Sequence, residues 1–323
     1  MDISTVAIAV AIVLGSVAVI GLIGALVCFF MTFYNRSRKP LGADEYEFPP
    51  GRIYEAHYDD MRAWTDDIRR MPREEVSILS HDGLTLRGRY YECIPDGPME
   101  IMFHGYRGNA ERDLCGGVAR AFALGHNVLI VDHRASGTSD GHVISFGINE
   151  KKDCLRWLEF ALEHYGKDRK IMLTGISMGA ATVMMAGGCD LPENVVYILA
   201  DCGYSSTKEI IKKVIKEDIR LPATPLYPFV KLGARLYGRF DLEEDSPMEA
   251  MQRCRVPVIF AHGDTDAFVP CDMSRRLYEA CASEKKKLVI IPGAGHGLCF
   301  PHAQEDYVNA LKEAETEFGF RKW

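Results

Sequence analysis

From Val6 to Phe33 no position carries a charge, and Ile, Val, Leu, Ala and Phe fill most of them. At about 1.5 Å per residue a helix over this run is roughly 40 Å long, against a hydrocarbon core of about 30 Å, so the pattern predicts a tilted membrane span. A cleaved signal peptide fits less well, because the chain starts Met1-Asp2-Ile3-Ser4-Thr5 without a basic segment and the apolar run is too long. Arg36, Arg38 and Lys39 follow the run and no Lys or Arg precedes it. That asymmetry predicts a single pass with the bulk of the chain in the cytoplasm. Gly21 and Ala25 offer a small-xxx-small face to another helix.

Pro40, Gly42, Pro49, Pro50 and Gly51 then mark a linker, and Tyr54, Tyr58, Met61, Trp64, Ile68 and Met71 recur at helical spacing. Such a stripe packs on its own domain or lies on a bilayer surface. From residue 75 the pattern changes to short apolar runs separated by helical stretches. Val76–Ser80 and Leu84–Glu92 flank His81-Asp82-Gly83 as a hairpin. Runs at 100–104, 127–132, 170–176, 195–200, 258–262 and 287–291 follow, with helical stretches near 110–124, 149–165, 178–187, 272–283 and 302–317. An antiparallel start followed by repeated βα units predicts an α/β fold with a mostly parallel eight-stranded sheet and helices on both faces. Residues 205–254 break the rhythm with a basic amphipathic run, Lys208–Lys216, then Pro222, Pro225 and Pro228 among aromatics, and predict a helical cap. The expected organisation is a transmembrane anchor over 1–35, a linker and juxtamembrane helix over 36–74, and the α/β domain over 75–323 with the cap inside it at about 205–254.

One apolar run, Lys170-Ile171-Met172-Leu173-Thr174, enters Gly175-Ile176-Ser177-Met178-Gly179 and then small helix-favouring residues. Gly-x-Ser-x-Gly between a strand and a helix lifts the serine hydroxyl above the sheet on a turn too tight for side chains at the two glycines. A serine hydroxyl needs a base, and the base an acid to orient it. His296, in Pro292-Gly293-Ala294-Gly295-His296-Gly297 after the last strand, is the expected base. Asp266, in the loop after the 258–262 strand, is the expected acid, with Asp264 and Asp201 as rivals. The backbone N–H groups of Met178 and Tyr106 are the expected oxyanion donors, Tyr106 lying in the glycine-rich loop His104-Gly105-Tyr106-Arg107-Gly108.

Five features in this order resemble the α/β-hydrolase superfamily: His104-Gly105, Asp132–Ser139, Gly175–Gly179, the Asp266 loop and the His296 loop. Within it the chain is similar to bacterial esterase-like serine hydrolases related to the fermentation/respiration switch protein and to membrane-associated thioesterases. Ala135-Ser136-Gly137 departs from the family's usual Arg-Gly-x-Gly, at a structural turn. The resemblance implies hydrolysis of a carboxylic ester or thioester, with a peptidase, an acyltransferase or an idle binding module as alternatives.

Composition narrows this little further. A net charge of −7 and the lack of a basic stripe predict no nucleic-acid partner. Ten cysteines without Cys-x-x-Cys spacing suit free thiols in a reducing compartment. Neither a phosphate-binding glycine loop nor a metal-ligand spacing occurs, so no cofactor and no metal are expected. The expected partners are a hydrophobic acyl substrate and the membrane.

Overall fold

The computed structural model describes residues 2–36, 42 and 44–323. Arg38, Lys39 and Pro40, on which part of the orientation and linker reading rests, lie outside the described residues.

Eight strands form one sheet: β1 (Glu74–Leu79), β2 (Thr85–Tyr91), β3 (Met99–Phe103), β4 (Asn127–Val131), β5 (Ile171–Ile176), β6 (Val195–Asp201), β7 (Val258–Gly263) and β8 (Lys286–Ile291). Their order is β1-β2-β4-β3-β5-β6-β7-β8. β2 pairs antiparallel with β1 and β4, and every other neighbour is parallel. β3 and β4 are buried at each position, as strands covered on both faces must be. One face packs on α4 (Glu150–Tyr165), α5 (Met178–Gly187) and α9 (Asp272–Ala280) through Trp157, Leu158, Val183, Met184 and Leu277. The other packs on α3 (Ala110–Ala123) and α11 (Gln304–Phe318) through Leu114, Val118, Tyr307 and Leu311.

One charged position interrupts β3. Glu100 is fully buried, takes two hydrogen bonds from Arg120 (2.8 and 2.6 Å), one from Thr174 (2.8 Å), and contacts His126 Nδ1 at 2.8 Å. The Glu315 carboxylate on α11 lies 3.1 Å from His126 Nε2, out of line for a hydrogen bond. A single polar cluster thereby joins β3, α3, β5, α11 and His126, the residue that precedes β4.

The chain order places a crevice. β3 leads through α3 to β4 on one side, and the chain then crosses through α4 to β5 on the opposite side of β3. Loops leaving the carboxyl ends of β3 and β5 therefore diverge, and ligands of open α/β sheets bind at such a reversal. The loop at 104–109 and Ser177 sit there.

The stretch from 205 to 254 forms α6 (Thr207–Glu217), α7 (Ala223–Gly233), a wide turn over Ala234–Gly238, and α8 (Pro247–Met251). Its main partner is the N-terminal helix α1 (Ile3–Thr32). Residues 3–20 of α1 are exposed on all sides, whereas Gly21, Gly24, Ala25, Cys28, Phe29, Thr32 and the following Phe33 form a buried or half-buried stripe. Small residues in that stripe let α7 of the same chain approach: a Cβ on Gly233 would lie 2.6 Å from the Ala25 carbonyl oxygen, and one on Gly24 would lie 3.1 Å from the Phe229 ring.

Candidate active site

Ser177 has φ 55° and ψ −114°, a conformation that side-chain-bearing residues rarely adopt. The turn is held because Gly175 and Gly179 have no Cβ: one at Gly175 would strike the Gly179 carbonyl, and one at Gly179 the Phe103 carbonyl. Ser177 N–H donates to Asp201 O at 2.8 Å, which fastens the elbow to β6.

Over this serine comes His296, on a loop where Gly293 (φ 77°) and Gly297 (φ 68°) take left-handed conformations that glycine tolerates. Its Nε2 lies 2.9 Å from Ser177 Oγ and its Nδ1 2.7 Å from Asp266 Oδ2. With a carboxylate on the Nδ1 side, the network assigns the proton to Nδ1 and leaves Nε2 to accept. Asp266 is buried and its acceptors are well filled. Oδ1 accepts from the N–H groups of Phe268 (2.9 Å) and Val269 (2.8 Å), and Oδ2 is also 3.2 Å from His262 Nε2. Burial pushes this carboxyl up, but hydrogen bonds from His262 and His296 outweigh it and hold the pKa at about 2.

The two rival acids are engaged elsewhere. Asp264 Oδ1 accepts from Gly293 N–H at 2.7 Å and so braces the histidine loop. Asp201 Oδ2 accepts from Tyr307 O–H at 2.7 Å, and burial raises its pKa.

The third expected group, the loop after β3, lies beside the serine: a Cβ on Gly105 would be 3.6 Å from Ser177 Cβ. Gly105 N–H donates to Asp113 Oδ2 at 3.0 Å. His104 Nε2 accepts from His133 N–H at 3.0 Å, so its Nδ1 carries the proton and donates to Gly105 O at 2.7 Å. Burial lowers the pKa of His104 and keeps it in this neutral form. Neither Tyr106 N–H nor Met178 N–H donates to an acceptor among the described residues, which leaves both available to an anion at the serine.

A cavity of about 670 Å³ opens on Ser177 and His296. Its walls are mainly apolar, and many come from an unexpected place: Pro49, Pro50, Ile53, Tyr54, Met61 and Trp64, from the segment leading into α2 (Tyr58–Arg70) and from α2 itself. Trp64 packs on Phe300 with ring centres 5.2 Å apart, and Phe268 sets its edge against His296 at 5.0 Å. No residue of 205–254 lines this cavity, although the sequence pattern places a cap there. The helical stripe of 54–71 did signal an apolar face, yet periodicity gives no information about which surface it meets.

By sequence His262, like His302, His104 and His81, competes with His296 for the role of base and is set aside as a strand-end or helix-start residue, whereas nothing in the sequence points to Cys202. In the structure His262 is the second imidazole beside Asp266. Cys202 Sγ, Asp266 and His296 bring ligand-type atoms within 4.8 Å of one another. The set fits a metal poorly: imidazole and carboxylate are already paired, and burial pushes the Cys202 thiol well above its ordinary value, away from the thiolate that metals bind.

The α/β hydrolase fold family model matches residues 101–222, and the serine aminopeptidase S33 model matches 244–301. The uncharacterized protein YqkD of Bacillus subtilis is 28% identical over 250 residues, 77% of this chain and 81% of that one. An uncharacterized membrane protein of Saccharomyces cerevisiae is 27% identical over 263 residues, 79% of this chain and 84% of its own. Among solved structures, the Pyrococcus furiosus esterase Pf2001 superposes with a TM-score of 0.65 at 20% identity, over 88% of this chain and 98% of the esterase. At that identity the likeness concerns the fold.

Proposed function

Because the chain belongs to the α/β-hydrolase superfamily, we propose that it is a membrane-anchored serine hydrolase acting on a carboxylic ester or thioester. The observation that carries this reading is the unbroken line from Ser177 Oγ through His296 to Asp266, at 2.9 and 2.7 Å, on a strained strand-to-helix turn. Ser177 attacks the carbonyl carbon while its proton passes to His296 Nε2. Asp266, ionised across the physiological range, holds the ring and stabilises the imidazolium. The N–H groups of Tyr106 and Met178 receive the oxyanion, each worth about 3–4 kcal/mol by analogy with other such donors. His296 then returns the proton to the leaving oxygen or sulfur, and water, deprotonated by the same histidine, releases the acid from the acyl-enzyme.

The apolar cavity favours a hydrophobic acyl group. Eighteen exposed positions of α1, residues 3–20, cover about 27 Å at about 1.5 Å per residue, close to a hydrocarbon core, and support a bilayer anchor. Basic residues on its C-terminal side favour a cytoplasmic catalytic domain.

A fluorophosphonate probe tests the reading: the wild type is labelled and Ser177→Ala is not. Absence of label on a folded wild type would leave the chain a binding module of the same fold. The match of 244–301 to a serine aminopeptidase model keeps amides in view. Turnover of p-nitrophenyl esters of rising chain length beside aminoacyl naphthylamides separates the two substrate classes.

A further inference from the structure

The last carbonyls of any helix lack partners within it. In α1 they are taken by the very loop that carries an expected oxyanion donor. Thr32 O accepts from Tyr106 O–H at 2.8 Å, and Met31 O accepts from Arg107 Nη2 at 2.9 Å, a guanidinium that also reaches Tyr34 O at 3.1 Å. A cation at that position also suits the negative end of the helix dipole. The Tyr106 ring packs on Phe146 with centres 5.0 Å apart, Phe146 packs on Phe33 at 5.9 Å, and Arg107 is held at φ 53°.

These contacts bear on one peptide plane. The Gly105 carbonyl and the Tyr106 N–H belong to the same rigid unit. His104 pins its oxygen side from within the domain, at 2.7 Å. The Tyr106 side chain pins the other side, and its hydroxyl partner lies on α1. We infer that the C-terminal turn of α1 is a positioning element of the active site, which sets the direction of the Tyr106 N–H toward the oxyanion. This rests on the serine-hydrolase reading above. It makes the N-terminal helix more than a tether, since a helix displaced from α7 would release Tyr106 while leaving Ser177, His296 and Asp266 in place.

Two variants of the full-length protein in detergent micelles test this from opposite ends. Tyr106→Phe keeps the ring and the backbone N–H and removes only the bond to Thr32. Gly233→Ala touches no active-site residue, but its Cβ would press on Ala25 and Phe29 and lift α1 from its seat. Each is expected to lower kcat about 5- to 10-fold, the scale of one hydrogen bond, with KM changed less than about 2-fold. A trifluoromethyl ketone, whose adduct places an oxyanion in the site, should lose affinity in parallel with kcat/KM, which a general loss of stability would not produce. Amide exchange across residues 105–108 should quicken in both variants, and the double variant should be no worse than the poorer single one. Unchanged exchange in that loop together with wild-type kcat in both variants would overturn the inference. If the wild type hydrolysed nothing, the function reading would fall, and loop exchange would still decide whether α1 holds Tyr106.

Discussion

Asp266 shows how much surrounding structure a single proposed catalytic carboxylate requires. Two backbone N–H groups and two imidazoles converge on it, so it remains an anion despite burial. Its folded pKa of about 2 lies below the ordinary 3.8, so the stability it contributes is present above pH 3.8 and lost as pH falls through about 2. Asp266→Asn removes the charge and lets the His296 ring settle in the wrong tautomer. We expect kcat to fall about 10⁴-fold at pH 7, measured with a p-nitrophenyl ester, while the fold persists. A loss smaller than about 10-fold would remove Asp266 from the proposed triad. His262 shares its Nε2 side between Asp266 Oδ2 at 3.2 Å and Val269 O at 2.9 Å, with Ser274 Oγ 2.6 Å from its Nδ1, so it is expected to act by holding the Asp266 loop in place.

Between elements, the buried cluster centred on Glu100 bears on stability. Burial would raise the Glu100 pKa, but Arg120 and His126 outweigh it and hold it at about 2, against an ordinary 4.5. His126 is pulled the other way: burial would lower its pKa, yet Glu100 and Glu315 raise it above 6.5. The Glu100 contribution is therefore complete above pH 4.5 and lost as pH falls through about 2. The His126 contribution is complete below 6.5 and lost as pH rises through its raised value. Together they predict a stability plateau from this cluster between pH 4.5 and 6.5, visible in denaturant titrations at several pH values. Glu100→Ala strands the buried Arg120 charge and should cost about 3–5 kcal/mol. A cost below about 1 kcal/mol would show that Arg120 finds water instead.

For the molecule as a whole, α1 divides into an exposed apolar half and a half seated on the hydrolase domain. The proposed anchor predicts that the wild type stays with the membrane pellet after alkaline carbonate extraction. Leu14→Arg, a charge near the middle of the exposed half, should cost about 2.5–3.5 kcal/mol of insertion and shift protein into the supernatant. A wild type found wholly in the supernatant would rule out the anchor. The seated half gives α7 a role that its composition did not suggest. A basic, proline- and aromatic-rich insertion looked like a cover for the cavity, and it instead cradles α1, while Pro49 to Trp64 wall the cavity.

Features governed by local rules were legible in the chain before any fold was known. Short, mainly apolar runs marked β3 to β5, and two glycines around Ser177 marked a turn too tight for side chains at those two positions. The long uncharged run from Val6 marked a helix suited to lipid. What no local rule could supply was the meeting of distant segments. Three aspartates were plausible partners for His296, and only the approach of the 264–269 loop to the 292–298 loop brings Asp266 within 2.7 Å of the ring. The seat of α1 on Gly233 and the capping of Thr32 by Tyr106 join residues 74 to more than 200 positions apart. Hydrophobic spacing tells a segment which side to bury, but the packing of the whole chain selects the surface it is buried against.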